Sequence, residues 1–168
     1  MPPVSPLRVM IDSNIIGALF SDPDTVAIVT RLQRSGAIRL LITHHQGDQL
    51  ARASHHIRRT LQLLNPAIAF TTRAIWNVWR PVSDYHSLYP DTAKEERSVE
   101  SGNERSFKHW AKFMIALTAV SRVDVFVTND RDLRNAAKQE VEKGRLKLQV
   151  WNYEEFHKQL KILDVLRS

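Results

Sequence analysis

Cysteine is absent from the 168 residues, which excludes disulfide scaffolds, thiolate zinc sites and cysteine nucleophiles. Glycine is scarce, at 5 residues, and no glycine-rich phosphate loop, zincin motif or nucleophile elbow occurs. No apolar run approaches the ~20 residues needed to cross a bilayer, so no membrane association is expected. Positions 1–6 contain no cationic stretch leading into a long apolar core. They therefore do not read as a secretion signal, and a cytoplasmic location is expected.

What is present is the composition of an ordinary globular chain, 43% hydrophobic and 25% charged. Its length fits a single domain over 1–168. Lysine and arginine number 24 against 18 aspartates and glutamates, a formal net charge of +6. A basic balance suits a polyanionic partner, because each neutralised phosphate releases condensed counterions; simple solubility accounts for it equally well. The basic residues are spread between Arg31 and Arg80 and again between Arg131 and Arg145. That spread predicts a surface patch made by folding, not a charged tail.

Apolar periodicity alternates between two kinds. Strand-like runs occupy 7–11, 38–42, 123–127 and 146–150, with weaker candidates at 67–72 and 75–79. The pattern predicts helices after Asp12, over 25–35 ending at Gly36, over 43–50, 57–64 and 131–143, and over 153–166. An amphipathic helix is also expected from 103 or 106 to about 120, with Phe107, Trp110, Phe113, Met114, Leu117 and Val120 as its stripe. Between 82 and 102 the chain is polar, and we read it as a long loop. Strands alternating with helices predict an α/β sandwich around a mainly parallel sheet.

Two apolar strands end in carboxylates. Asp12 follows Ile11, and Asp130 and Asp132 follow Val127, Thr128 and Asn129. Ligands of open parallel sheets bind at the carboxyl ends of the strands. If the two strands are neighbours, three carboxylates converge with the amides of Asn14 and Asn129 and the Thr128 hydroxyl. Such oxygen donors suit Mg²⁺ or Mn²⁺, which polarise phosphoryl oxygens and acidify bound water. The competing reading is that Asp12 and Asp130 merely cap the helices that follow them.

Together these pieces resemble the PIN-domain nucleases: Val9 to Asn14, the passage Ile115-Ala116-Leu117-Thr118-Ala119, Val125 to Leu133, and the closing strand with its Phe156-bearing helix. The resemblance covers nearly the whole chain apart from the middle loop. It implies a Rossmann-like α/β/α sandwich and a metal-dependent endoribonuclease that hydrolyses RNA phosphodiesters. The toxins of toxin–antitoxin pairs belong to that family, so an antitoxin-like protein partner or a homodimer enters as an expectation beside RNA. Asp12 and Asp130 fall on two of the family's four acidic positions and would be catalytic and metal-binding, with Asp132 as a neighbouring ligand. Thr128, Asn14 and Asn129 would support the site.

The other two acidic positions are replaced, one by Gln49 and one by Lys112. Asp48 precedes Gln49, but adjacent helical residues point ~100° apart, so it serves as a ligand only if the chain turns locally. Glu104 lies too far along an ideal helix from Lys112 to replace it, and His109 reads as an exposed helix histidine. A lysine among three aspartates leaves a formal −2 where four acids would give −4. The expectation is that Lys112 pairs with Asp12 or Asp130 and weakens Mg²⁺ binding. Two alternatives therefore accompany the nuclease reading: a degenerate PIN-like domain that binds RNA or protein without turnover, and a phosphohydrolase using Asp12 as nucleophile. The latter lacks the usual second aspartate, since Asn14 stands there. The histidine pairs His44-His45 and His55-His56 read as polar surface or phosphate contacts rather than a zinc site. The tryptophans Trp110 and Trp151 read as core or interface.

Overall fold

A computed structural model of the chain describes residues 5–42, 53–68, 123–144 and 146–167. Within them lie β1 (Leu7–Ile11), α1 (Ser13–Phe20), α2 (Pro23–Arg34), β2 (Ile38–Ile42), α3 (His55–Leu64), β3 (Ala67–Ile68), β4 (Val125–Val127), α4 (Arg131–Glu142), β5 (Gln149–Trp151) and α5 (Tyr153–Arg167). The expected helices over 43–50 and 103–120, the strand over 75–79 and the loop over 82–102 fall outside the described residues.

The strands form one sheet in the order β3-β2-β1-β4-β5, and every neighbouring pair is parallel. β1 is central: Val9 sits opposite Leu40 on one side and Val125 on the other. Alternation along the strands sends side chains to both faces. On one face Val9, Ile11, Leu40, Ile42, Val125 and Val127 join Ile15, Ile16 and Leu19 of α1, Val29 and Leu32 of α2, Leu64 of α3, and Phe156 and Leu160 of α5 in one buried cluster. Residues of opposite parity, Met10, Leu41 and Phe126, are equally buried. α4 packs against β5 with Leu133 and Ala137 buried outside the first cluster. The architecture is the predicted α/β sandwich with a parallel sheet and flanking helices. Apolar side chains on both faces are what a parallel sheet covered on both sides requires.

Local chemistry sets the helix boundaries. α2 begins at Pro23, two residues ahead of the periodicity, because Asp22 caps it: its Oδ1 accepts from Thr25 N–H at 3.1 Å, and proline occupies the first turn, where a missing N–H costs nothing. It ends before Gly36, whose φ of +72° is the left-handed conformation that glycine adopts without strain. α3 starts at His55 and is closed by Asn65 at φ 42°. The last strand is shifted to Gln149–Trp151 from the expected 146–150. Leu146 and Leu148 are buried, so the apolar signal begins earlier than the ladder, which opens only where Gln149 N–H reaches Asp124 C=O.

Candidate functional site

The sheet order reverses at β1. From there the chain moves through β2 and β3 on one side, and β4 and β5 extend the sheet on the other. Such a switch point opens a crevice beyond the carboxyl ends of the two central strands. Ile11 of β1 lies opposite Val127 of β4, so Asp12 and Thr128, each the next residue, stand side by side at this edge of the sheet.

Asp12 is buried, at 7% exposure, and Thr128 is fully enclosed. The Asp12 backbone N–H continues the ladder to Val127 C=O at 3.0 Å. Its side-chain Oδ1 accepts from Ser13 N–H at 2.7 Å, capping α1, and its Oδ2 accepts from the Thr128 hydroxyl at 2.8 Å. The same hydroxyl oxygen accepts from Asp130 N–H at 3.1 Å. Asp130 in turn caps α4, its Oδ1 accepting from Leu133 N–H at 2.9 Å. Its Oδ2 takes part in no hydrogen bond among the described residues, and the residue is half-buried. A buried hydroxyl thus links the two aspartates in one chain of hydrogen bonds.

Two asparagines extend this rim. Asn14 Oδ1 accepts from Asn129 N–H at 3.3 Å, tying α1 to the loop after β4. Asn129 Oδ1 accepts from Tyr153 N–H at 2.9 Å, tying the same loop to α5. The structure therefore brings together Asp12, Asn14, Thr128, Asn129 and Asp130. Asp132 stands exposed on the first turn of α4, and Asp48, Gln49 and Lys112 lie outside the described residues. Capping and the link between strands are not rivals at Asp12: it caps α1 with Oδ1 while Oδ2 accepts from the Thr128 hydroxyl.

Sequence reasoning missed a second polar cluster one helix away. Asp22 Oδ2 accepts from the Thr25 hydroxyl at 2.7 Å and from the Tyr153 hydroxyl at 2.9 Å, and His157 Nδ1 lies 2.5 Å from Thr25 Oγ1. A threonine has one hydroxyl proton. With that proton given to Asp22, the histidine Nδ1–H is the donor to Thr25. Burial works to raise the Asp22 carboxyl, but the donors from Thr25 and Tyr153, with His157 nearby, hold it below the usual carboxylate range. Burial, and then the bond to Asp22, push the Tyr153 phenol up to about 12. The cluster fastens α5 to the start of α2, and through Tyr153 N–H it braces Asn129 at the crevice. Its sequence signals were the Asp22-Pro23 cap and the one-turn spacing of Tyr153 and His157; their convergence is tertiary and no local pattern carries it.

Chemically, the crevice offers hard oxygen donors. Among the described residues no three His, Asp or Glu side chains form a metal-holding group. Asp12 and Asp130 follow neighbouring strands, and Mg²⁺ is commonly held by one or two carboxylates together with substrate phosphate and water. The donor set thus fits a hard divalent cation. Comparison of the chain with family models, curated proteins and solved structures returned no match.

Proposed function

We propose that the protein is a PIN-like, metal-dependent endoribonuclease whose working crevice lies between the carboxyl ends of β1 and β4. The observation that carries this reading is the hydrogen-bonded chain from Asp12 through the buried Thr128 hydroxyl to Asp130 N–H, at the point where the sheet order reverses. Asp12 and Asp130 would hold Mg²⁺ or Mn²⁺ there, with Asp132 beside them. The cation, when bound, would polarise a phosphoryl oxygen and lower the pKa of an attacking water.

The chain's own groups do the positioning. The Thr128 hydroxyl points its proton at Asp12 Oδ2 and fixes the rotamer of that buried carboxylate. Ser13 N–H and the start of α1 supply partial positive charge at Oδ1, which favours a carboxylate at that position. Asn14 and Asn129 brace the start of α1 against the loop after β4, which holds Asp12 and Asp130 on joined backbone segments. The net charge of +6 favours approach of a polyanion to a crevice that is itself acidic.

The test is cleavage of single-stranded RNA with Mg²⁺ or Mn²⁺, with and without EDTA. The reading expects cleavage that EDTA abolishes and that Asp12→Asn removes while the fold is retained. Cleavage indifferent to both changes, or RNA binding with no turnover in any metal, would refute it. The second of these outcomes supports the alternative, a degenerate PIN-like domain, which Gln49 and Lys112 at two acidic positions make a specific competitor.

A further inference from the structure

Away from the crevice, α3 presents an exposed flank whose Arg59 forms no ion pair among the described residues. Ile57, Thr60, Leu61 and Leu64 turn inward, and the helix carries no acidic residue. Spacings of three and seven residues set His56, Arg59 and Leu63 along one exposed side. At the near end is Phe20, the last residue of α1, which is 43% exposed with its ring centroid 5.8 Å from that of His56. At the far end Leu63 enters the wall of an open cleft of about 540 Å³ that also contains Arg34 of α2, Arg39 of β2, Ile38 and Ala67. Among the described residues that line the cleft there is no carboxylate.

Arg34, Arg39 and Arg59 form no ion pair among the described residues, whereas the neighbouring Arg31 is bridged to Asp164 at 2.6 Å. The floor is fixed: Gln33 Nε2 donates to Leu64 C=O at 2.5 Å and its Oε1 accepts from Leu40 N–H at 3.2 Å, so one side chain ties α2, α3 and β2 together. Ten residues of α3 span about 15 Å, and the eight of α1 carry Phe20 about 12 Å from Asp12.

We infer that this flank is a track for single-stranded RNA, with a base stacked on Phe20 beside His56 and phosphates on Arg59, Arg34 and Arg39. The inference rests on the RNA reading above and adds to it the path of the strand leading away from the crevice. An exposed aromatic at one end and arginines strung along a helix length match how single strands are held without sequence readout, by stacking platforms and a cationic groove. An acidic peptide would use the arginines but gain little from the exposed ring.

The experiment is fluorescence anisotropy of a labelled oligouridylate over stepped salt concentrations. It compares the native chain, Phe20→Ala, the triple variant Arg34→Ala/Arg39→Ala/Arg59→Ala, and Asp12→Asn. All four track positions are exposed, and circular dichroism checks each fold. Single strands lose about 0.7 in log–log salt slope per phosphate contact, so the triple variant should lower the slope by about 2. Phe20→Ala should weaken binding roughly tenfold with the slope unchanged. Charge reversal at Arg59→Glu should weaken it further than Arg59→Ala.

Binding that responds in this way, in a protein that never cleaves, supports the track and refutes the nuclease reading. Metal-dependent cleavage with binding indifferent to all four positions overturns the track and leaves the nuclease reading standing. Absence of RNA binding, or poly-glutamate binding that needs the arginines but not Phe20, overturns the track and points to an acidic protein partner.

Discussion

Replacing Thr128 by valine is the sharpest probe of the crevice. The two side chains have nearly the same shape, so the change removes one hydroxyl from a fully enclosed position and little else. Asp12 Oδ2 loses the donor at 2.8 Å, and Asp130 N–H loses its acceptor at 3.1 Å. A hydrogen bond to a charged acceptor contributes about 1.5–3 kcal/mol, and a polar group left without its partner costs about 1 kcal/mol more where it is partly solvated. The expected loss is therefore about 3 kcal/mol. For a chain of this length each kcal/mol moves the midpoint by about 2–4 °C, so thermal denaturation should shift down by about 6–12 °C. Thr128→Ser keeps the hydroxyl and loses a methyl group, at about 1 kcal/mol. In an Asp12→Ala background the cost of Thr128→Val should fall by on the order of 1–2 kcal/mol, because the two residues act on one bond. Urea denaturation of the native chain and the four variants measures all of this. If Thr128→Val and Thr128→Ser differ by less than about 0.5 kcal/mol, the hydroxyl does not hold Asp12 and the account of the crevice is wrong.

Further outcomes follow from other parts of the molecule. Asp22 titrates below its unfolded value, so its contribution to stability is present above about pH 4 and lost as the pH falls through its folded value. Tyr153 titrates at about 12 when folded, so its contribution is present below about pH 10 and lost as the pH rises towards 12. Stability measured against pH should show this alkaline fall in the native chain and not in Tyr153→Phe. Gly36→Ala should cost about 1 kcal/mol through backbone strain at φ +72° alone, since an added Cβ meets nothing within 4 Å; a neutral result in chemical denaturation would contradict the helix ending described. Calorimetry of the native chain should record weak Mg²⁺ binding, and Lys112→Asp with Gln49→Glu should raise metal-dependent RNA cleavage. No gain from a folded double variant would count against the assigned acidic positions.

The parallel sheet was legible because its strands are short, doubly buried apolar runs separated by helical periodicity, and because Gly36 and Gly144 stand where two helices stop. The convergence of Asp12 with Thr128 and Asp130 was legible for a related reason. Each follows the last apolar residue of a strand, and in a parallel sheet all such residues lie at one edge. Less legible was the division of labour within each carboxylate. Capping and site-building looked like alternatives in sequence, yet Asp12 does the first with Oδ1 and turns Oδ2 to Thr128. The clasp of Asp22, Thr25, Tyr153 and His157 was invisible, since it joins residues more than 125 positions apart across two helices. Strand edges were misjudged at β5, where Leu146 and Leu148 bury themselves before the ladder begins. A basic patch made by folding was expected from the scattered arginines, but which of them lie near one another is legible only when α2, α3 and β2 are packed.

The most direct test of the central claim is paramagnetic broadening of backbone amide signals on titration with Mn²⁺. The account predicts that Ser13, Asn129 and Asp130 broaden first, that Arg39 and Leu63 at the opposite end of the sheet are spared, and that Asp12→Asn removes the effect. Broadening centred elsewhere, or unchanged in Asp12→Asn, would contradict it.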